Sequence, residues 1–427
     1  MPGGFTRNVA TTAICNIAMA AVAALAGVIV ARSAGPHVRG EYAAVMAWFG
    51  AVLVVGQLGQ TAATTFFVAR EPQRAPDYLA TSRNMMVTSG GITLFLGCLA
   101  APLLAHGDAT LTWAFRLMFT TSLVSFVGAS YTFSLQATCV PWWNLARVSQ
   151  PILFVAALLT LHLTDRLGLI TALGALSMTI VVQTVLAYRI CGMRRLTRGR
   201  AERALVRPMT RYGLSQLASA APSLGGRLDQ LILSLAVAPA ALGRYAVAVS
   251  MTVIAVPILS AMGNVAFPLI ASQAVSRERA ARLTRGAILA SVGLGVTLMI
   301  PLALLAPWVV PRVFGPGFQE AVPLIWFLAP GGVLFAGSRV CGDLLRGYGR
   351  PRAVAWAEGA GAAVTVLLMA ILLPVIGVTG AAIASSAAAS VTLLVMVTAL
   401  RRLSREGAAP TPVLAGAASS HVVSDPP

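Results

Sequence analysis

The chain is built from apolar runs of about 20 residues, the length that crosses a bilayer's hydrocarbon core, and nearly all its charge falls in the short gaps between them. A backbone in lipid must satisfy its hydrogen bonds within its own segment or in a closed barrel. These runs are too long and too uniformly apolar for alternating barrel strands, so an all-α, polytopic membrane protein is expected. Of 427 residues 57% are hydrophobic and 10% charged, and all 31 basic side chains other than histidine are arginine. In a soluble protein a net charge of +18 would point to nucleic acid. Here no folded polar domain exists to carry a groove or stacking platform, so no nucleic-acid partner is expected and the positive charge reads as topology.

Spans are expected near residues 9–31, 43–68, 85–105, 112–135, 148–164, 167–188, 212–236, 245–268, 287–311, 319–342, 353–375 and 378–400. With both termini cytoplasmic, the gaps on that side hold 23 arginines and the opposite gaps six, leaving Arg227 and Arg339 within spans. That bias supports an even span number and a cytoplasmic-membrane orientation with both ends inside. The eight arginines from Arg189 to Arg211 fall where two six-helix halves would join, in a role of orienting the chain and touching anionic headgroups. The expected organisation is a six-helix lobe over 1–190, an Arg-rich cytoplasmic linker over 191–211, a second lobe over 212–402 and a disordered tail over 403–427, rich in Ala, Pro and Ser. Arg7 precedes an apolar run from Val9 to Val30 that is too long for a secretory signal, so an uncleaved first span is expected.

Several chemistries are disfavoured. The five cysteines are odd in number and widely spaced, and the four histidines have no second ligand at metal spacing, so no metal site is expected. A chain without lysine cannot hold the Gly-Lys-Ser/Thr phosphate loop of a built-in ATPase. No cofactor is expected.

The two halves carry an internal echo. Thr6-Arg7 precedes the first span as Thr210-Arg211 precedes the seventh; Gly40-Glu41-Tyr42-Ala43 opens the second as Gly243-Arg244-Tyr245-Ala246 opens the eighth; and Gly59-Gln60 matches Gly263-Asn264. The offsets are 203 or 204 residues. Repeated halves are the usual plan of alternating-access transporters, with the substrate path at the repeat interface. The stretches Ala31-Arg32, Gly35-Pro36, Arg39-Gly40-Glu41-Tyr42-Ala43, Gly226-Arg227-Leu228-Asp229-Gln230-Leu231, Leu242-Gly243-Arg244-Tyr245-Ala246-Val247-Ala248 and Leu345-Arg346-Gly347-Tyr348-Gly349-Arg350-Pro351, in this order and spacing, resemble polysaccharide (O-antigen unit) flippases of the multidrug, oligosaccharidyl-lipid and polysaccharide (MOP) exporter superfamily. The resemblance implies two pseudo-symmetric six-helix bundles forming a V around a central cavity. It also implies a substrate, a polyprenyl-diphosphate-linked oligosaccharide, carried from the inner to the outer leaflet, with polysaccharide assembly proteins as partners.

Such a substrate needs cations for its diphosphate, and arginine pairs two oxygens at once while staying ionised in a poorly hydrated site. Arg227, deep in the seventh span, is the first candidate, against the alternative of a structural ion pair with a carboxylate on another helix. Asp229 lies about 200° around the helix from it, so each needs its own partner unless the double glycine breaks the helix. Arg32, Arg39 and Glu41 flank the far end of the first hairpin, where solvated interfacial charge is the reading set against guidance of the diphosphate. Arg339, Asp343 and Arg346 recur at i, i+4 and i+7 in span ten, as a surface ion pair or a substrate gate. Asp229, Asp343 and Glu358 are the acids placed for ion coupling. Asn16, Gln57, Gln60, Gln183, Gln216 and Asn264 are the uncharged polar groups available to sugar or to interhelical hydrogen bonds.

Two other functions compete. A cation-coupled drug or metabolite antiporter of the same superfamily would need a buried acid in its first six spans, yet Glu41, Glu71, Asp77, Asp108 and Asp165 sit at span ends or in loops. A membrane-embedded glycan-modifying enzyme would show a large outer loop, an embedded histidine or paired loop carboxylates, none of which the sequence carries. No catalytic residues are expected.

Overall fold

The computed structural model describes residues 2–225, 227–253, 277–348 and 350–405; the tail from 406 and Asn264 lie outside them. The described residues form thirteen α-helices and no strand. They are α1 (Pro2–Gly56), α2 (Gln60–Arg70), α3 (Ala75–Leu104), α4 (Ala109–Thr138), α5 (Val140–Leu163), α6 (Leu169–Met193), α7 (Arg203–Gly225), α8 (Leu228–Ala236), α9 (Pro239–Thr252), α10 (Arg277–Val313), α11 (Ala321–Gly347), α12 (Pro351–Ile376) and α13 (Val378–Arg405).

Every expected span finds a helix among the described residues, the eighth only through Thr252. The first two are joined with almost no loop. α1 runs 55 residues and reverses at Gly35 (φ 75°, ψ 178°), where Pro36 has no N–H to give and excludes helical geometry from the residue before it. The gap expected over 32–42 is helical because Arg32, Ser33 and His37 extend the helices past the apolar core. For the same reason α3 begins ten residues before residue 85, with Thr81 and Ser82 buried in its first turns.

Two spans are broken inside the apolar zone. Between α1 and α2, Leu58 (φ 49°) and Gly59 (φ 69°) both take left-handed backbone, a conformation that costs a residue with a Cβ roughly 1 kcal/mol. Between α7 and α8 the helix stops at Gly225 and resumes at Leu228 with Arg227 between them. Non-helical backbone at membrane depth is tolerated where protein or a water-lined path covers it, and broken helices mark transporter binding sites.

The chain divides into two compact units, 1–250 with 306–324, and 251–305 with 325–427. The first therefore includes α7 to α9, which the expected organisation puts with the second half, because α7 and α8 pack on α1 and α2. Its core gathers Tyr78, Leu79, Tyr131, Leu135, Ile190 and Met209. The segment after α6 packs on the start of α3, where Glu202 pairs with Arg74 at 2.6 Å and a Cβ on Gly199 would overlap the backbone of Pro76. Arg194, Arg195 and Arg198 remain exposed. In the second unit Val340, Leu344, Val354, Ala357, Met396 and Leu400 join α11, α12 and α13. Gly361 and Gly331 let α13 approach closely through Thr392 and Ser386, the small-residue packing that joins helices in lipid. Large apolar side chains such as Leu99, Leu103, Leu163 and Val375 point outward, an arrangement suited to hydrocarbon.

Candidate functional site

The site begins on one face of the second half of α1. At 100° per residue Arg39, Ala43, Met46 and Gly50 fall within about 60° of each other, and the face extends about 16 Å from Arg39 to Gly50. Arg227 lies against its deeper part. Its Nη1 donates to the Met46 carbonyl at 3.4 Å, and the guanidinium occupies the space a Cβ on Gly50 would fill. Nine residues of α8 separate Arg227 from the end of its span, about 14 Å at 1.5 Å per residue, which is near mid-depth. Arg227 is exposed, and no carboxylate pairs with it among the described residues. The sequence over 254–276 holds no Asp or Glu that could supply one.

Asp229 faces elsewhere. It is 8% exposed and accepts from Tyr245 Oη at 2.5 Å and from the Gln230 N–H at 2.7 Å. The helix does break before Leu228, where Arg227 takes non-helical backbone (φ −129°), and Asp229 nonetheless bonds across to α9.

Arg39 departs from the expectation of solvated interfacial charge. It is 8% exposed, its Nε is buried without a hydrogen-bond partner, and its only contact of polar character among the described residues is the Tyr42 ring at 5.7 Å. A backbone-to-backbone approach lies beside it. A Cβ on Gly40 would overlap the Pro239 carbonyl, and one on Gly243 would overlap the Pro36 carbonyl and lie 2.9 Å from the Gly40 nitrogen. The two glycines that echo each other in sequence thus meet beside Arg39. Gly317 sits over Pro36, 3.1 Å from its Cγ by the same measure.

The neighbouring charges are paired, though the Nε of Arg244 is buried without a partner. Arg32 is exposed and donates to the carbonyls of Arg312 and Val313; Glu41 pairs with His37 at 3.3 Å; Arg244 pairs with Glu320 at 2.5 Å. A second glycine approach lies at the other end of the hairpin, where a Cβ on Gly59 would overlap the Gly213 carbonyl and one on Gly213 would lie 2.6 Å from the Leu58 carbonyl. Gln60, 2% exposed, has neither amide atom bonded among the described residues. Asn16 and Gln183 serve interhelical contacts instead, with Arg147 at 2.9 Å and the Ala146 carbonyl at 3.0 Å.

In the second unit Asp343 and Arg346 pair at 2.8 Å, Arg339 lies 6.0 Å from the Phe335 ring, and Glu358 is buried on α12 with Arg339 and Arg346 as the charges that act on it. The spacing of Arg339, Asp343 and Arg346 places those three on one helix face; that Glu358 lies within their influence comes from the packing of α12 on α11. Gly50 and Gly213 are participants that sequence reasoning missed, and Gly40 and Gly243 stood out only as an internal echo. A glycine's neighbours in sequence carry no signal of which backbone will approach it.

No group of three or more His, Cys, Asp or Glu placed to hold a metal ion exists among the described residues.

This architecture is similar to that of solved membrane transporters of the MOP superfamily. The fold is similar to that of a multidrug resistance MATE family transporter in an inward-facing conformation (TM-score 0.75, 16% identity, covering 91% of this chain and 96% of that one). It is similar as well to the lipid II flippase MurJ in an inward closed conformation (TM-score 0.76, 10% identity, 92% and 87%). An outward-facing MATE transporter matches at TM-score 0.64 with 14% identity over 93% and 96%. No curated protein matches the sequence significantly. The model of the polysaccharide biosynthesis protein family matches residues 5–273, and the chain belongs to that family.

Proposed function

We propose that the protein flips a polyprenyl-diphosphate-linked oligosaccharide from the inner to the outer leaflet of the cytoplasmic membrane, with both termini cytoplasmic and the Pro36 end of the first hairpin facing outward. The observation that carries this reading is Arg227: a mid-depth arginine at a helix break, exposed, lying on glycine and free of any carboxylate partner among the described residues. An arginine kept for structure would be expected to carry an ion pair; one kept for an anion is left open for it. The family and the likeness to a lipid II flippase agree with a lipid-linked substrate. Leaving a cell 100 mV negative inside, a diphosphate with about two charges gains roughly 4 to 5 kcal/mol, at about 2.3 kcal/mol per charge. The potential thus contributes to export without a coupled ion.

Arg227→Ala should abolish surface glycan while protein abundance stays near normal, and Arg227→Lys should retain part of the activity because a point charge replaces a two-oxygen fork. Glycan display by cells producing each variant, beside an immunoblot of membranes, measures both. Unchanged display would overturn the proposal. Export of a cationic dye that survives Arg227→Ala and fails in Glu358→Gln would favour the antiporter instead.

A further inference from the structure

We propose that Arg39 is a second anion-binding residue, an exit station for the diphosphate that is covered while the Gly40–Gly243 contact is closed and uncovered when it parts. The inference rests on the flippase reading and adds a site to it.

Three observations carry it. The first is the bareness of Arg39: a guanidinium buried to 8% exposure, with Nε unbonded and no carboxylate or carbonyl partner among the described residues. The stretch 254–276 contains no acid to neutralise it. A cation so placed is unfavourable in this state, and it becomes favourable only in a state that brings water or an anion to it. The second is register. Arg39 shares a helix face with Met46 and Gly50, where Arg227 sits, so an anion leaving Arg227 along that face next meets Arg39, about 10 Å beyond the Met46 carbonyl. The third is the cover. Gly40 and Gly243 meet backbone to backbone, and the break at Gly35-Pro36 a turn away supplies a hinge about which the second half of α1 can tilt. Parting the two glycines opens the flank of α1 next to Arg39. In the open state the guanidinium takes the diphosphate by charge-assisted hydrogen bonds, and closure then removes the anion from it.

The purified full-length chain titrated with inorganic pyrophosphate tests this, with hydrogen exchange of the amides over 40–46 reporting the contact. Gly40→Ala should raise that exchange, because its Cβ cannot coexist with the Pro239 carbonyl. Gly40→Ala combined with Arg227→Gln should still bind pyrophosphate, and adding Arg39→Gln should weaken binding at least tenfold. If exchange does not rise, if the double variant does not bind, or if Arg39→Gln leaves binding unchanged, the exit station is wrong. Should Gly40→Ala fail to purify, Gly243→Ala opens the same contact. Failure of the flippase reading has a different signature: in the otherwise native chain, pyrophosphate binding would then be absent or indifferent to Arg227→Gln. A structural role for Arg39 is separated by Arg39→Met, which should keep or raise the thermal midpoint while glycan display falls at least tenfold. A midpoint that drops together with abundance would overturn the proposal.

Discussion

The first hairpin meets later helices at both ends, and the two meetings are made differently. At the Pro36 end the glycine approach is ringed by charge: Arg32 on the carbonyls that end α10, Arg244 on Glu320, and His37 on Glu41. At the Arg70 end the approach of Gly59 to Gly213 is backed by rings. Phe66 stacks on Tyr212 at 4.4 Å and Phe67 on Tyr78 at 5.3 Å, with Tyr212 edge-on to Phe67. One contact is bordered by ion pairs that salt screens, none of which joins α1 to α9, and the other is latched by aromatic packing between α2 and α7 that salt does not screen. Both leave a polar side chain buried and unbonded next to the glycine, Arg39 in the first case and Gln60 in the second. An unmade hydrogen bond of this kind costs roughly 1–3 kcal/mol and more for a charge, so neither closure is held at full strength. The proposed function, in which each end opens in turn, calls for closures of that kind.

The largest expected effect comes from filling either glycine. Gly40→Ala and Gly59→Ala should each lower glycan display at least tenfold, the second aided by the strain of an alanine at φ 69°. They should also differ in sign: thiol labelling at an introduced Ala43→Cys rises from outside in Gly40→Ala and does not in Gly59→Ala. Identical labelling would erase the distinction between the ends. A middle-sized effect is expected from Tyr212→Ala, which removes a stacked pair worth about 0.5–1.5 kcal/mol beyond its buried area. The thermal midpoint should fall by the same amount in low and high salt. The smallest is Glu320→Ala, whose carboxylate is mostly exposed and whose pairing is worth about 0–1 kcal/mol. Its midpoint shift should shrink further at 1 M salt, where the Debye length is about 3 Å. A salt-independent loss at Glu320, or a salt-dependent one at Tyr212, would reverse the assignment of latches.

The sequence alone determined the all-helical membrane class, because hydrocarbon imposes its length and its backbone demands on every run separately. It likewise located Arg227 as a charge within an apolar stretch and set Arg339, Asp343 and Arg346 on one helix face, since helix period and span ends suffice for both. The burial of Arg39 was not legible, because that arginine sits among Arg32, His37 and Glu41 in a stretch that reads as interface. Beside it Gly40 meets Gly243, two positions 203 residues apart that only tertiary packing brings together. Local periodicity encodes which side of a helix a residue occupies. Whether that side meets lipid, water or another backbone is decided by the partner helix, which no local pattern names.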